Sequence, residues 1–392
     1  MKRINVMIGQ SGGPTPVINH SVLGFLESSL NSDLIDKIYG VHYGIEGLLS
    51  NNITVLNHNH TAIKQSTQQP GAVLRTSRHP LKEEELAEIF TFLQKLKVKI
   101  FCYIGGNGSS RTILKFNEYA ETHSIDIKFV HIPKTIDNDL LGTDFSPGYP
   151  SAAKFTSTLI PLIAKDILSL KQNKRVELIE IMGGNQSWLS ISANLYKEHT
   201  GIPDLAFFPT HQISVEEILQ KIDSAYKNVN RSIIVTVPDH MQITNLTDNS
   251  FISQDEVRSN KGGISAIIAK LISENLGYES KITVPNMLFR ITPGVHLPLD
   301  CNCAYSLGEA AIQHGLQGYS GGMVNINRVS SDPYLYTIGW HELHQIAGVE
   351  RSLDKEFWNA DKLVPTVAFK EYIYPIIGHE DLELAWLGNN YV

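Results

Sequence analysis

Short apolar runs alternate along the chain with longer stretches in which apolar residues recur every three or four positions, without a fixed-period repeat or low-complexity tract. Strand-length runs separated by amphipathic segments specify parallel sheets flanked by helices, an α/β fold. Ile4–Ile8 is the first predicted strand; it enters the loop Gln10–Pro14, after which Thr15 is placed to cap a helix and Pro16 to fill its first turn. The same order of strand, glycine loop and helix recurs at Val98–Ile104, Gly105–Ser109 and about 110–123. Lys128–Ile132 and Arg175–Ile181 are further predicted strands, running into PKTIDND and MGGN. Leu205–Phe208 and Ser232–Val237 read as buried strands on either side of a helix that Ser214 and Glu217 open at capping-box spacing. Helices are then expected at Ile264–Leu276 and Ala304–His314, and strands at Lys281–Phe289 and Met323–Ile326.

Length and composition narrow the class. At about 150 residues per domain, 392 residues make two or three domains. Hydrophobic residues are 42% and charged residues 19%, and no apolar run approaches the 18 or so residues of a membrane span, so a soluble globular protein without a membrane partner is expected. With 33 Lys plus Arg against 40 Asp plus Glu the net charge is −7, which disfavours a nucleic-acid partner held by overall positive charge and leaves room for a local basic pocket. Three cysteines, Cys102, Cys301 and Cys303, are too few for a disulfide scaffold and fit a reducing compartment. The first residues turn glycine-rich without an apolar leader, and a cytoplasmic location is the expectation.

In open parallel sheets ligands collect beyond the carboxyl ends of the strands, which directs attention to the loops there. Gly12 and Gly13 lie between a strand and a helix N-terminus, where backbone N–H groups and the helix dipole favour a phosphate, although neither the Walker A nor the dinucleotide spacing is present. Gly105, Gly106 and Gly108 repeat that arrangement, followed by Ser109 and Ser110. PKTIDND puts Lys134 and two carboxylates, Asp137 and Asp139, at the end of a third strand; the lysine suits phosphoryl oxygens, and the carboxylates suit a general base or Mg²⁺. Trp340–His344 lacks the histidine spacing of a zinc protease and reads as a partly exposed helix, and His58 and His60 would share one face of a strand. Cys301 and Cys303 beside His296 lack the spacing of a zinc knuckle and read as structural.

QSGGPTPVIN, YIGGNGSS, PKTIDNDLLGTDFSPGYPSAAKF and IEIMGGNQSWL occur in the order and approximate spacing of the phosphofructokinase superfamily, and the chain resembles its pyrophosphate-dependent branch. The resemblance implies a two-domain fold with an active-site cleft. Residues 1–150 with about 290–325 would bind the phosphate donor, and 151–289 with about 326–392 the sugar phosphate. It implies phosphoryl transfer from pyrophosphate to the 1-hydroxyl of fructose 6-phosphate or a related sugar phosphate, with Mg²⁺ as cofactor. Gly12, Gly13, Arg78, Asn107, Gly108, Ser109 and Lys134 would bind the donor, and Asn107 and Asp139 the metal. Asp137 would be the base, with Arg78 and Lys134 on the transferred group. Thr135, Asp137, Arg175, Met182, Gly183, Gly184, Thr210, Lys281 and Arg290 would face the acceptor. A homodimer or homotetramer is implied, with Arg175 or Arg290 shared across its interface.

Departures from the pattern are as informative. Gly108 stands where the branch carries a carboxylate that excludes the α-phosphate of ATP, so an ATP-dependent kinase is the alternative. Lys281 replaces an arginine and loses the bidentate fork. Gly184 replaces the arginine of MGR, and Thr210 the glutamate of PE; each lost charged hydrogen bond is worth about 1.5–3 kcal/mol. These losses motivate a third reading, a non-catalytic paralogue acting as a regulatory subunit or metabolite sensor.

Overall fold

The apolar run that opens the chain forms β1 (Ile4–Gln10), whose last five residues are buried, as befits a strand covered on both faces. Next come β2 (Ile35–Val41), β3 (Ile53–Val55), β4 (Val98–Gly105) and β5 (Lys128–Pro133). They are followed by β6 (Val176–Ile181), β7 (Leu205–Ala206), β8 (Ile233–Pro238), β9 (Ser280–Thr283), β10 (Gly322–Ser331) and β11 (Tyr334–Glu342). Five helices frame the loops of interest: α1 (Ile18–Leu30), α2 (Asn107–Thr122), α3 (Tyr149–Ser169), α4 (Gly263–Leu276) and α5 (Pro298–Leu316). The computed structural model describes residues 3–209, 212–245, 263–291, 296–359, 362, 364–379, 382 and 384.

The chain divides into two compact units, Met1–Ser151 with Arg290–Arg351, and Ala152–Phe289 with Ser352–Val392. In the first unit the strand order is β11-β10-β5-β4-β1-β2-β3. The five inner strands are mutually parallel, and β3 and β11 are antiparallel edges. One face of this sheet buries Phe90, Phe101, Phe116 and Phe129, whose ring centroids lie 5.5–6.2 Å apart. Elsewhere in the unit α1 meets α5 backbone to backbone, because Gly24 and Gly308 carry no Cβ to hold the helices apart. The second unit has a four-stranded parallel sheet in the order β9-β6-β8-β7. Leu178, Val235, Ile218, Ile222, Ile264 and Ile268 form part of its core. Ser214 caps the helix Val215–Asn228 as its spacing predicts, its Oγ accepting the Glu217 N–H at 3.1 Å.

Both units belong to the α/β class with parallel sheets. Several boundaries differ from the expectations. The chain remains in the first unit to Arg351 rather than about 325, because the predicted strand Met323–Ile326 is the start of the ten-residue β10, which doubles back as β11. Trp340, His341 and Glu342, expected in a helix, end β11 opposite Val324, Met323 and Gly322; only Leu343–Ile346 makes a helical turn. Pairing to β10 supplies the hydrogen bonds that override the local pattern. The predicted strand Lys281–Phe289 stops at Thr283, ahead of Pro285, and Leu288–Ile291 is helical. Helix α1 starts at Ile18 rather than at Thr15 and Pro16, whereas α2 starts at Asn107, inside the second glycine loop. His60 opens the helix His60–Ser66 instead of lying on a strand, and its Nε2 meets Glu27 at 2.6 Å. Cys102, Cys301 and Cys303 are free thiols. Among the described residues no helix is long and apolar enough to cross a membrane.

Candidate active site

Strands β5, β4 and β1 are neighbours in the first sheet, so the three polar loops leave it side by side. Ser11 N–H donates to Ile104 O at 2.9 Å, and the Ser11 and Ser109 hydroxyls share a short hydrogen bond, which ties the first glycine loop to the second. Gly12 adopts φ +71°, a left-handed value that glycine reaches without steric cost, and its N–H donates to Ser77 O at 3.2 Å. That bond brings the segment carrying Arg78 against the loop. The second and third loops join through the Gly105 carbonyl, which accepts from Lys134 N–H and His131 Nε2–H, both at 3.0 Å. Burial pushes the His131 imidazole down to about 3, so it is neutral and donates from Nε2. Thr135 Oγ1 accepts the Asp137 N–H at 3.1 Å and Asn138 Oδ1 accepts the Ser146 N–H at 2.9 Å, fixing the TIDND turn.

Three cations converge on Gly13. Lys134 Nζ donates to Gly13 O at 2.6 Å, with the side chain only 4% exposed. A Cβ at Gly13 would collide with the Arg290 guanidinium and lie 3.6 Å from Arg78 Nη2, so the absent side chain makes room for the two arginines. Burial is the main cause that lowers the Lys134 ammonium to about 8; Arg290 and Arg78 push the same way, and Asp137 and Asp139 oppose them. Burial, and then the like charge of Arg78, also presses the Arg290 guanidinium below its ordinary range, with Asp137 opposing. A compact group of positive charges facing one carboxylate suits a polyanion that passes a phosphoryl group to a hydroxyl. Arg290, expected to face the acceptor, packs against the first glycine loop of its own chain.

Asn107 and Asp139 form an oxygen-rich pair. Asn107 Nδ2 donates to Asp139 Oδ2 at 2.9 Å, while Asn107 Oδ1 and Asp139 Oδ1 are both buried without a hydrogen-bond partner. Burial raises the Asp139 carboxyl above its usual range, assisted by the like charge of Glu350 and opposed by the Asn107 hydrogen bond. Two orphaned oxygens fit a hard cation that retains most of its own waters, the habit of Mg²⁺. Among the described residues no group of three His, Cys, Asp or Glu side chains could supply a fuller protein cage. Gly108 opens α2 beside this pair. A Cβ there would meet nothing within 4 Å, and its φ is not positive, so neither packing nor backbone geometry demands glycine at this position.

The other predicted acceptor residues that are described lie in the second unit. Arg175 precedes β6, Met182–Gly184 follow it, and Lys281 is in β9. Thr210 lies outside the described residues. Gly184, at φ +65°, donates its N–H to Asp239 Oδ1 at 3.2 Å, and His240 Nδ1 lies 3.1 Å from the same oxygen. Asp239 is therefore a carboxylate beside the MGG turn, one that the sequence analysis, which noted only the glutamate lost at Thr210, did not single out. It follows β8 directly, so the strand-end rule that flagged the other loops would have found it. His131 was missed for a different reason: nothing in a strand-interior histidine signals which carbonyl it holds.

A model of the phosphofructokinase family matches residues 5–314, which include all three loops, Arg290 and the MGG turn. The chain belongs to the phosphofructokinase family. Among curated relatives, the pyrophosphate–fructose 6-phosphate 1-phosphotransferase of Halomonas elongata is 29% identical over 97% of this chain and 93% of its own. The sulfofructose kinase of Alkalicoccus urumqiensis is 30% identical over 83% of this chain and 84% of its own. The crystal structure of the pyrophosphate-dependent phosphofructokinase from Nitrosospira multiformis superposes with a TM-score of 0.82 at 27% identity, covering 99% of this chain and 95% of the other. The chain thus shares its fold with a solved structure that it covers almost completely.

Proposed function

We propose that the protein is a Mg²⁺-assisted phosphotransferase that moves a phosphoryl group from pyrophosphate to the 1-hydroxyl of fructose 6-phosphate, or of a fructose with another anionic group at C6. The observation that carries this reading is the convergence of Lys134, Arg78 and Arg290 on Gly13, beside Asp137. The Halomonas and Nitrosospira relatives, named for pyrophosphate, support the donor. Asp137 accepts the proton of the attacking hydroxyl, the oxygen forms a new bond to phosphorus, and the bond to the departing phosphate breaks. Lys134, Arg78 and Arg290 hold the charge spread over the transferring oxygens, and the backbone of Gly12 and Gly13 admits them closely. Asn107 Oδ1 and Asp139 Oδ1 would hold Mg²⁺, which neutralises donor oxygens when bound. The first unit then serves the donor and the second, through Arg175, Lys281 and the MGG turn, the sugar. A cytoplasmic homodimer or homotetramer completes the proposal.

One observation favours a second donor. The open space at Gly108 leaves room for the α-phosphate of ATP. Purified protein assayed with Mg²⁺, fructose 6-phosphate and either pyrophosphate or ATP separates the two. Transfer from pyrophosphate supports the first reading, transfer from ATP alone supports the second, and no transfer from either leaves a sugar-phosphate sensor.

A further inference from the structure

Of the three cations expected to face the acceptor, the two in the second unit, Arg175 and Lys281, do not stand alone. Arg175 Nε donates to Glu177 Oε1 at 2.5 Å, and the Glu177 side chain is 1% exposed against 15% for Arg175. Residues two apart on an extended strand share a face, so the arginine reaches its partner without leaving that side of the sheet. Lys281 is the register partner of Glu177 in the parallel β9–β6 ladder. Partners across a ladder present their side chains to the same face, so Arg175, Glu177 and Lys281 share one side of this sheet. The contact joins a side chain of formal charge −1 to one of +1 in a charge-assisted hydrogen bond. The three groups therefore sum to a single positive charge, where Arg175 and Lys281 alone would give two.

We propose that Glu177 is a specificity-determining residue that matches the acceptor handle to a singly charged tail, making a fructose bearing a sulfonate at C6 the preferred acceptor over fructose 6-phosphate. This rests on the phosphoryl-transfer reading above and adds to it the charge of the tail. A phosphate monoester carries about −1.5 to −2 at neutral pH. A sulfonate is a monoanion throughout, with three oxygens in much the same tetrahedral arrangement. The second phosphate charge would face the Glu177 carboxylate, whereas the sulfonate leaves the handle neutral overall. The 1-hydroxyl end of either sugar is the same, so Glu177 acts on binding of the tail and through Arg175.

The test compares fructose 6-phosphate with 6-deoxy-6-sulfofructose as acceptors of the intact protein, with Mg²⁺ and each donor, and measures binding of both sugars calorimetrically without donor. Wild type is expected to favour the sulfonate about tenfold or more in kcat/KM and in affinity. Its KM for the phosphate should fall between pH 7.5 and 5.5 as that tail becomes a monoanion, while KM for the sulfonate changes less. Glu177→Gln keeps an acceptor for Arg175 and restores the second positive charge; it should shift the ratio about tenfold toward the phosphate, in KM rather than kcat. Wild-type preference for the phosphate, or a ratio unmoved in a folded Glu177→Gln protein, overturns the inference. If that variant does not fold, the wild-type ratio and pH profile decide. Absence of transfer with a retained sulfonate preference in binding overturns the proposed function and leaves the inference standing.

Discussion

In the proposed reaction Asp137, Lys134 and Gly108 each carry a separable part of the chemistry. Asp137→Asn keeps the shape of the TIDND turn and removes the proton acceptor, so kcat should drop about 10²–10⁴-fold while KM for either substrate moves much less; steady-state kinetics check this. Lys134 titrates at about 8, well below its ordinary 10.5, chiefly because it is buried. Between those values the native protein binds fewer protons than the unfolded chain, so this group makes stability rise with pH across that window. Donor binding has the opposite slope, since phosphates need the ammonium. In the free protein kcat/KM for the donor should therefore decline above about pH 8, and Lys134→Met should abolish that limb together with most of the donor affinity. Gly108→Asp introduces a carboxylate into open space at the start of α2, so it should fold normally and impair use of ATP far more than use of pyrophosphate. Equal loss with both donors would place Gly108 away from the α-phosphate. The residue types and strand-end positions of these three were legible in the sequence. The company of Arg290 was not, because only the folded unit brings the start of its second segment back to Gly13.

At the scale of elements, the entry to α3 depends on Asp300, which projects from α5. Its carboxylate accepts the Gly148 N–H at 2.9 Å, the Ser151 N–H at 3.2 Å and the Ser151 hydroxyl at 2.7 Å, entirely within the first unit. Burial raises it from 3.8 to about 6 despite these hydrogen bonds. The native protein thus holds the extra proton between those values, and the group's contribution to stability falls as pH rises through that window. Asp300→Ala should lower stability by about 2–4 kcal/mol, because it strands buried donors. Asp300→Asn should cost less and flatten the difference in urea stability between pH 4 and 6. Sequence pattern located β1, β4 and β5 of the first sheet well, since buried parallel strands are continuous apolar runs, but it did not find β2. It failed at the hairpin of β10 and β11, where Tyr334–Glu342 mixes aromatic and polar residues and only the register with β10 makes it a strand. It also lost the end of α1, where Thr15 has the chemistry of a cap but the helix begins beyond it.

For the whole molecule, the groups proposed to bind the donor all reside in one unit, so the footprint of a bound donor should be equally confined. Pyrophosphate with Mg²⁺ at about 100 times its Kd should stabilise that unit by about 2.7 kcal/mol. Hydrogen exchange should slow in the backbone of 11–13, 105–109 and 134–139, and chelating the metal or substituting Asp139→Ala should remove most of the effect. Protection centred on the MGG turn instead would reassign the donor to the second unit. The bond between the Ser11 and Ser109 hydroxyls reaches beyond any single assay. A Cβ at Gly105 would strike both of these side chains, so the two glycine loops are fitted closely to each other. In evolutionary terms they should behave as one locus although nearly a hundred residues separate them. A library that randomises positions 11–13 against a fixed 105–109 would be populated mostly by misfitted loops, whereas exchanging both together from another member of the family would carry a working pair into this scaffold, and a change of donor along with it.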